Sequence, residues 1–179
     1  SRYAELLVEL GYQVECSVTP RVNWRNAKGA PQGNGGTDYQ HFPDHAYFMD
    51  LDNISRAGNS PLLEVPMSIQ YKHPAWLNTI KQGYDRLRGK YRSPSVNWLR
   101  PSGGNAAQMI QVAQQCLSQG SEYVEFMLHS SEFMPGGSPT FKDEAAIEGL
   151  YQDLEALFSW LSDKTVGMTL AEFYQYKKK

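Results

Sequence analysis

Helix-forming patterns alternate along this chain with short strand-forming runs, and this alternation predicts a fold of the α/β class. Residues 3–10 carry apolar side chains at the spacing of one helical face, and Gly11 suits the left-handed position after a helix. Residues 12–18 then have a strand-like composition that stops at Pro20. Strands that alternate with helices favour a parallel sheet or barrel. The chain therefore opens as an αβ unit, and the strand expected before its first helix is missing.

The same alternation continues towards the C-terminus. Residues 62–69 have the pattern of a strand, and the internal Pro66 indicates an edge or a bulge because proline donates no ladder hydrogen bond. Thr169 and Glu172 have the spacing of a capping box at the start of a terminal helix. The other predicted elements are strands at 96–99 and 123–128, and helices at 74–90, between Gly104 and Gly120, and across 147–161.

Residues 25–60 interrupt this order with a long stretch rich in glycine and proline. Loops of this length are uncommon in compact domains and are often functional, so we expect this one to cover a pocket. The chain shows no internal repeat, low-complexity segment or linker. Residues 1–179 are therefore predicted to form a single domain with a long irregular loop at 25–60.

Composition limits the partners of the protein. The chain has 179 residues, 41% hydrophobic and 20% charged, which fits a soluble globular protein with a sizeable core. A net charge of -2 without a basic stripe predicts no nucleic-acid partner. No apolar run reaches the ~20 residues of a bilayer span, so no membrane partner is expected. No signal peptide is visible, a cytoplasmic location is slightly favoured, and the oligomeric state is not indicated.

His129 is the first candidate for catalysis because it directly follows the predicted strand 123–128. Functional groups of α/β folds gather at the C-terminal ends of strands. Ser130, Ser131 and Glu132 add further polar groups at this end. An imidazole can donate or accept a proton near neutral pH. The pattern thus indicates an acid–base group, and a purely structural histidine is the alternative that the residues leave open.

Arg100, Glu15 and Trp24 are further candidates. Arg100 ends a predicted strand, where its guanidinium could polarise a carbonyl, hold a carboxylate or form an ion pair at a barrel rim. Glu15 lies within a strand, and its carboxylate either faces solvent or belongs to a site. Trp24 could pack on a sugar ring, with a place in the core as the alternative.

His41 and His45 have the HxxxH spacing that, on a helix, would bring two imidazoles to one face as zinc sites require. Pro43 lies between them in a glycine-rich loop, so the helical argument fails. A loop could still bring them together, with Asp38 or Asp44 as a third ligand. A surface loop over a pocket is the favoured interpretation, and a metal site is the weaker one.

Five segments resemble, in the same order along the chain, motifs of polysaccharide deacetylase-like proteins, the family of chitooligosaccharide-deacetylase-type barrels. The fourth resembles the family pattern LHSxExxPGxSP, which contains a Leu-His motif. Each match is short, and the set spans nearly the whole chain. The segments are GYQVECSVTP at 11–20, LLEVPMS at 62–68, WLRP at 98–101, LHSSEFMPGGSP at 128–139 and TLAEF at 169–173.

The resemblance implies a distorted (β/α) barrel that removes N-acetyl groups from a saccharide such as a bacterial polysaccharide. In that family a divalent metal, zinc or a similar ion, activates water, and an aspartate acts as the base. A histidine in the Leu-His motif protonates the leaving amine, so the resemblance gives His129 the role of general acid. It also places Arg100, Trp24, Glu15 and Glu132 near the substrate.

The chain departs from the family pattern at its start. The early Asp-Asp pair and the metal-binding HxxxH of the family are absent, and His41 and His45 lie in the wrong region to replace them. The family aspartate of the first strand is Glu15 here. We therefore expect the C-terminal portion of the domain, without its first strands and without the metal ligands.

Three functions follow from the sequence. The leading one is a metal-dependent hydrolase-like domain in which His129 acts as general acid. The second is a catalytically inactive carbohydrate-binding or scaffold barrel that binds no metal. The third is a metal-independent hydrolase that uses loop carboxylates, although their spacing is also that of a solvated acidic loop. These carboxylates are Asp38, Asp44, Asp50 and Asp52.

Overall fold

The computed structural model describes residues 2–27, 32–88 and 95–179. The chain divides into two compact units, which are Ser1–Val96 with Met168–Lys179, and Asn97–Gly167. Part of the predicted loop, at 28–31, and the end of the predicted helix 74–90, at 89–90, lie outside the described residues. The single domain expected over 1–179 stays a prediction.

The described residues form a mixed α/β structure. Its helices are α1 Arg2–Glu9, α2 Ala75–Leu87, α3 Ala106–Ser118, α4 Glu144–Leu161 and α5 Leu170–Lys177, with a 3₁₀ helix at Ser130–Phe133. Its strands are β1 Val14–Glu15, β2 Tyr47–Phe48, β3 Leu63–Glu64, β4 Ile69–Tyr71 and β5 Val96–Trp98.

A three-stranded sheet organises the first unit. Strand β3 lies in its centre and pairs in parallel with β1 and antiparallel with β2. Glu64 is opposite Glu15 on one side and Tyr47 on the other, so one row across the sheet carries three polar side chains. Tyr47 and Phe48 lie within the predicted loop 25–60, yet they form β2 because they pair with β3, which lies 15 to 17 residues later. A buried cluster of Ala4, Tyr47, Met49 and Leu62 stabilises the unit.

Predicted helix ends agree with the structure of the first unit. Gly11 has a φ of 83° after α1, the left-handed conformation that glycine adopts without a steric penalty. At the start of α5, the Glu172 amide donates to Thr169 Oγ1 at 3.2 Å and the Thr169 amide donates to Glu172 Oε2 at 2.7 Å. The Tyr174 hydroxyl donates to the Pro61 carbonyl at 3.0 Å and ties α5 to the chain before β3.

Helices α3 and α4 build the core of the second unit. Met109, Val112 and Cys116 of α3 pack with Leu157 and Leu161 of α4 in one buried cluster. Helix α4 confirms the helix predicted across 147–161. Its residues 147, 150, 154, 157 and 161 follow helical spacing and form a buried apolar stripe, whereas Tyr151 and Phe158 are about half exposed.

The strand predicted at 123–128 is absent from every β-ladder of the described residues. Its Met127 amide donates a long hydrogen bond of 3.4 Å to the Leu99 carbonyl. Its apolar alternation still decides its packing, because Val124 and Phe126 contact the α3–α4 core and Leu128 a second cluster around Phe141. The prediction of a strand at 123–128 was therefore wrong.

Strands of two or three residues form no closed barrel within the described residues. Pro66 separates β3 from β4, as expected for a residue that interrupts a ladder. The barrel implied by the family resemblance stays a prediction. Across the described parts of the chain, no helix has the length and apolarity to cross a membrane.

Candidate active site

The candidate site of the second unit is built on a turn that we name the His129 turn, residues 129–137. His129 is the extended residue before the 3₁₀ helix, with φ -86° and ψ 144°. Its amide donates to Glu132 Oε2 at 2.8 Å, and its carbonyl accepts from the Glu132 amide at 2.9 Å. A carboxylate three residues after a helix start can reach back to the chain in this way. The backbone of His129 is therefore fixed by the fourth residue of the same turn.

Arg100 supplies the charge that keeps Glu132 ionised. The Arg100 guanidinium donates to Glu132 Oε1 at 3.0 Å, and the Glu132 side chain is almost fully buried. Burial raises the pKa of Glu132, but the His129 amide and the hydrogen bond and charge of Arg100 outweigh it and hold the pKa below its usual range. Charge-assisted hydrogen bonds of this kind are about twice as strong as neutral ones. Both oxygens of Glu132 thus bind protein donors, which favours a positioning role.

The side chain of His129 is exposed, although its backbone is fixed. The imidazole ring lies close enough to Glu132 that its positive charge, when it is protonated, helps to lower the pKa of Glu132. Ser130 and Ser131 are exposed beside it. The turn therefore presents an accessible imidazole beside a buried carboxylate.

A second set of hydrogen bonds holds the loop that carries Arg100. Asn105 Nδ2 donates to the Arg100 carbonyl at 2.9 Å, and Asn105 Oδ1 accepts from the Ser102 amide at 2.8 Å. The carboxylate of Asp153, on α4, accepts from the Asn105 amide at 3.1 Å and the Ala106 amide at 3.2 Å. A negative charge is favourable at these first amides of α3. Hydrogen bonds therefore run without interruption from Asp153 through Arg100 to the His129 turn.

Sequence reasoning did not identify Asp153 and Asn105. Asp153 is 6% exposed, and it lies between Leu150 and Leu157 within the apolar stripe of α4. An acidic residue at a buried helical position needs donors in the fold. That conflict between residue type and position was the available signal, whereas the donors on α3 are distant in sequence.

The second half of the His129 turn requires glycine. Gly136 has a φ of 75°, and a Cβ on Gly137 would lie 2.1 Å from the Ser131 carbonyl oxygen. The Gly137 amide also donates to the Met134 carbonyl at 2.8 Å. The Pro-Gly-Gly run therefore lets the chain fold back closely against the 3₁₀ helix.

Glu125 is another acid–base group of the second unit. Burial raises the pKa of Glu125 to about 7, because the charged carboxylate is less well solvated there. The sequence analysis assigned no role to Glu125. A carboxyl group with such a pKa can gain or lose a proton at neutral pH.

In the first unit, Glu15 lies at the end of β1 and organises the turn that follows. Its Oε1 accepts from the Cys16 and Ser17 amides, each at 3.1 Å, and its Oε2 accepts from the Ser17 hydroxyl at 3.1 Å. The Tyr3 hydroxyl also donates to Oε2 at 3.2 Å. The neighbouring Glu64 is fully buried and accepts from the Val18 amide at 3.0 Å. Two carboxylates on adjacent strands therefore hold the chain after β1.

Trp24 is half-buried in the same unit. Its indole Nε1 donates to Thr19 Oγ1 at 2.8 Å, which fixes the ring after β1. Gly35 has a φ of 84°, and a Cβ there would lie 1.9 Å from the Arg25 carbonyl oxygen. The chain can thus return beside Trp24 only with glycine at this position.

The weak metal candidates do not form a ligand set. His41 and His45 are exposed, and His45 Nδ1 lies 3.7 Å from the Asp44 carboxylate. Asp38 accepts hydrogen bonds from Asn23 Nδ2 and the Gln40 amide, each at 3.0 Å. Over the described ranges, no three His, Cys, Asp or Glu side chains are placed to hold one metal ion. A metal site at His41, His45 and Asp38 stays a prediction.

The structure brings Arg100, Glu132 and His129 together within the second unit. Glu15 and Trp24 lie in separate hydrogen-bonded turns of the first unit. Comparison with protein-family models, curated proteins and solved structures finds no match for this chain. Its function is therefore argued from the geometry and from the sequence resemblance.

Proposed function

We propose that the protein hydrolyses the N-acetyl group of a saccharide, with His129 as the general acid. The observation that carries this proposal is the exposed imidazole of His129 on a backbone held by the buried Glu132–Arg100 pair. The resemblance of residues 128–139 to the Leu-His segment of polysaccharide deacetylase-like proteins supports the reaction class. The geometry supports the acid–base role, and the resemblance supports the substrate.

The role of His129 is one proton transfer. Water adds to the carbonyl carbon, and as the bond between this carbon and the amide nitrogen breaks, the imidazolium donates its proton to that nitrogen, so acetate and the amine are released. The amine then leaves as a neutral group, and His129 is left as a neutral imidazole. General acids of this type typically contribute about 10²–10⁴-fold to the rate.

Arg100 and Glu132 act in this proposal by fixing the donor. Glu132 is 3% exposed and joins the His129 amide to the guanidinium, so movement of His129 would break a buried charged contact. The Arg100 side chain is 29% exposed, so it can also contact a substrate oxygen. Trp24 and Glu15 keep the substrate-binding roles that the resemblance implies, as proposals.

Among the described residues, the divalent metal of the family has no assigned ligands. His41, His45 and Asp38 do not converge, so no step is routed through a metal that they would hold. The role proposed for His129 depends on its own position and on the Glu132–Arg100 pair. It is independent of which residues bind a metal.

The alternative function is binding of a saccharide without catalysis. It is favoured by Trp24, whose indole is oriented by Thr19 in a turn that requires glycine. Aromatic faces pack on sugar rings through their apolar surface. In this alternative the His129 turn is a structural element.

Acetate release from N-acetylated chitooligosaccharides, with and without added zinc, nickel or cobalt, tests the leading proposal. We expect His129→Ala to lower the rate by about 10²-fold or more. The matched control is His73→Ala, which removes an imidazole outside the proposed site and should leave the rate unchanged.

An unchanged rate in His129→Ala would reject the general-acid role. Saccharide binding by the wild type and by His129→Ala, with no acetate released under any condition, would favour the binding function instead. Loss of saccharide binding in Trp24→Ala would then identify the bound face. If the wild type neither bound nor hydrolysed the saccharide, both proposed functions would be contradicted.

A further inference from the structure

Helix α2 of the first unit carries its apolar residues on the solvent side. Trp76 and Ile80 are each 62% exposed, Tyr84 is 59% exposed and Leu87 is 88% exposed. These residues follow each other at spacings of three or four, so they form one stripe, and the 36% exposed Leu77 lies at its edge. We name these five residues the α2 stripe. A soluble helix normally turns such a stripe towards the core.

The polar side of the same helix faces the protein. Asn78 is 6% exposed, and its Nδ2 donates to the His73 carbonyl at 3.1 Å. Asp85, seven residues later on the same side, is half-buried. The orientation of α2 is therefore the reverse of that expected for a helix covering a core. The stripe is available to a partner that offers an apolar phase.

The sequence around this helix is basic. Segment 72–92 contains six Lys or Arg residues and one Asp, although the whole chain has a net charge of -2. Lys81 and Arg88 are exposed one turn after Leu77 and Tyr84, so they flank the stripe. The Arg88 guanidinium lies 5.3 Å from the centre of the Tyr84 ring. The partner that complements this face combines an apolar interior with a negative surface.

We propose that α2 lies in the interface of an anionic lipid bilayer. Helices with an apolar face of Trp, Leu or Phe and a basic polar face insert roughly 5–10 Å into the boundary between headgroups and acyl chains. Trp and Tyr side chains favour this boundary because they combine an apolar ring with a polar group. Lys and Arg beside such a helix bind anionic headgroups.

Two other partners satisfy only part of these features. A soluble polyanion would neutralise the basic residues and leave the apolar stripe in water. A second copy of this chain could cover the stripe, but it would bring the same basic segment to the interface. The anionic bilayer satisfies both the stripe and the charge. This is a peripheral contact, and it departs from the expectation of no membrane partner that whole-chain composition suggested.

Co-sedimentation of the full chain with lipid vesicles tests the proposal. We expect binding to phosphatidylcholine vesicles that contain roughly one-third phosphatidylglycerol, and about tenfold weaker binding to pure phosphatidylcholine. Raising the salt from about 0.1 M to about 0.5 M should weaken the binding, because it screens charges at the surface.

Variants of exposed residues separate the contribution of the apolar α2 stripe from that of the basic residues. We expect Trp76→Gln/Ile80→Gln to lower binding about tenfold or more, because it removes two inserting side chains. The matched control is Val166→Gln/Met168→Gln, which changes two exposed apolar residues outside α2 and should bind like the wild type. Lys81→Glu should weaken binding only to the anionic vesicles, with the exposed Lys142→Glu as its control.

Equal binding to neutral and anionic vesicles, or wild-type binding by the Trp76/Ile80 variant, would overturn the proposal. So would self-association that this variant abolishes without any vesicle binding, since a second copy would then cover the stripe. Binding to a soluble polyanion such as dextran sulfate, with no vesicle binding, would also overturn it. None of these results depends on His129 or on hydrolytic activity.

Discussion

Two turns of this protein use a glutamate to hold backbone amides, and they differ in what else the carboxylate binds. Glu15 accepts from the Cys16 and Ser17 amides and from hydroxyl donors, including Tyr3. Glu132 accepts from the His129 amide and from the Arg100 guanidinium. The first carboxylate is only partly buried, and the second is 3% exposed.

The Glu15 turn is held by neutral donors, whereas the His129 turn is held by the buried Glu132–Arg100 ion pair. Neutral hydrogen bonds contribute little net stability, because water can replace them. A buried carboxylate that loses its cationic partner, or a cation that loses its carboxylate, is much less stable. The His129 turn therefore tolerates less change than the Glu15 turn. That rigidity is what a positioned proton donor requires.

The largest predicted difference is between Glu132→Ala and Glu15→Ala. We expect Glu132→Ala to lower the free energy of unfolding by about 3 kcal/mol, because Arg100 loses its buried partner. Glu15→Ala should cost about 1 kcal/mol, because its donors regain water. Urea unfolding followed by circular dichroism measures both. Equal losses would remove the distinction between the two turns.

Gly137 lies against the Ser131 carbonyl in the His129 turn, with no room for a side chain. Gly137→Ala should destabilise the protein by about 2 kcal/mol, because the new Cβ would overlap the Ser131 carbonyl. Gly149→Ala is the control, since a Cβ at this position of α4 meets nothing within 4 Å. It should stabilise the protein by about 0.5–1 kcal/mol through helix propensity. Thermal unfolding of the pair measures the difference, and a neutral Gly137→Ala would contradict the close approach.

A smaller loss of unfolding free energy is expected for a change at Asp153, where the hydrogen bonds that hold the Arg100 loop begin. Asp153→Asn keeps the shape of the side chain but removes the charge that the amides of Asn105 and Ala106 bind. We expect a loss of about 1 kcal/mol, in the range of helix capping effects. Asp143→Asn, at the exposed start of α4, is a control for loss of charge at a helix start. Urea unfolding of both variants measures the effect, and equal losses would show that burial of Asp153 adds nothing.

The pH dependence of the free energy of unfolding reflects Glu132 and Glu125, which act in opposite senses. Because the pKa of Glu132 lies below its ordinary value of 4.5, its stabilisation is complete above that pH and is lost as the pH falls through the folded-state pKa. Glu125 has the opposite effect on stability. Because its pKa in the folded protein is about 7, the folded protein binds this proton more tightly than the unfolded chain does. Its contribution to stability therefore falls as the pH rises from 4.5 to 7.

Unfolding measured across pH with Glu132→Gln and Glu125→Gln separates these contributions. Glu132→Gln should remove part of the acid sensitivity, and Glu125→Gln should raise stability at neutral pH relative to wild type. An unchanged pH profile in either variant would contradict the environment described for that carboxylate.

Local patterns predicted the parts of the fold that depend on neighbouring residues. The capping box of Thr169 and Glu172 and the left-handed Gly11 need only a few residues of chain, and both are present. The apolar residues of α4 share one face by helical spacing, and this face packs on α3, so the pattern predicted the burial of α4. The orientation of α2 was not, because helical spacing shows which residues share a face and not what covers that face.

The candidate site was predictable only in part for the same reason. His129, Arg100 and Glu132 were each identified from their positions at predicted strand ends, but the pairing of Arg100 with Glu132 joins residues 32 positions apart. The contacts of Asp153 with the start of α3 span 48 positions. Such contacts are set by how α3 and α4 pack, which no single segment specifies.

The central claim is that His129 protonates a leaving group, and a change of leaving group tests it most directly. An aryl acetate ester releases a stable phenolate, which needs no proton, whereas a saccharide amine does. We predict that His129→Ala lowers hydrolysis of the N-acetyl saccharide by about 10²-fold or more and hydrolysis of the ester by less than about tenfold. An equal loss on both substrates would contradict the general-acid role.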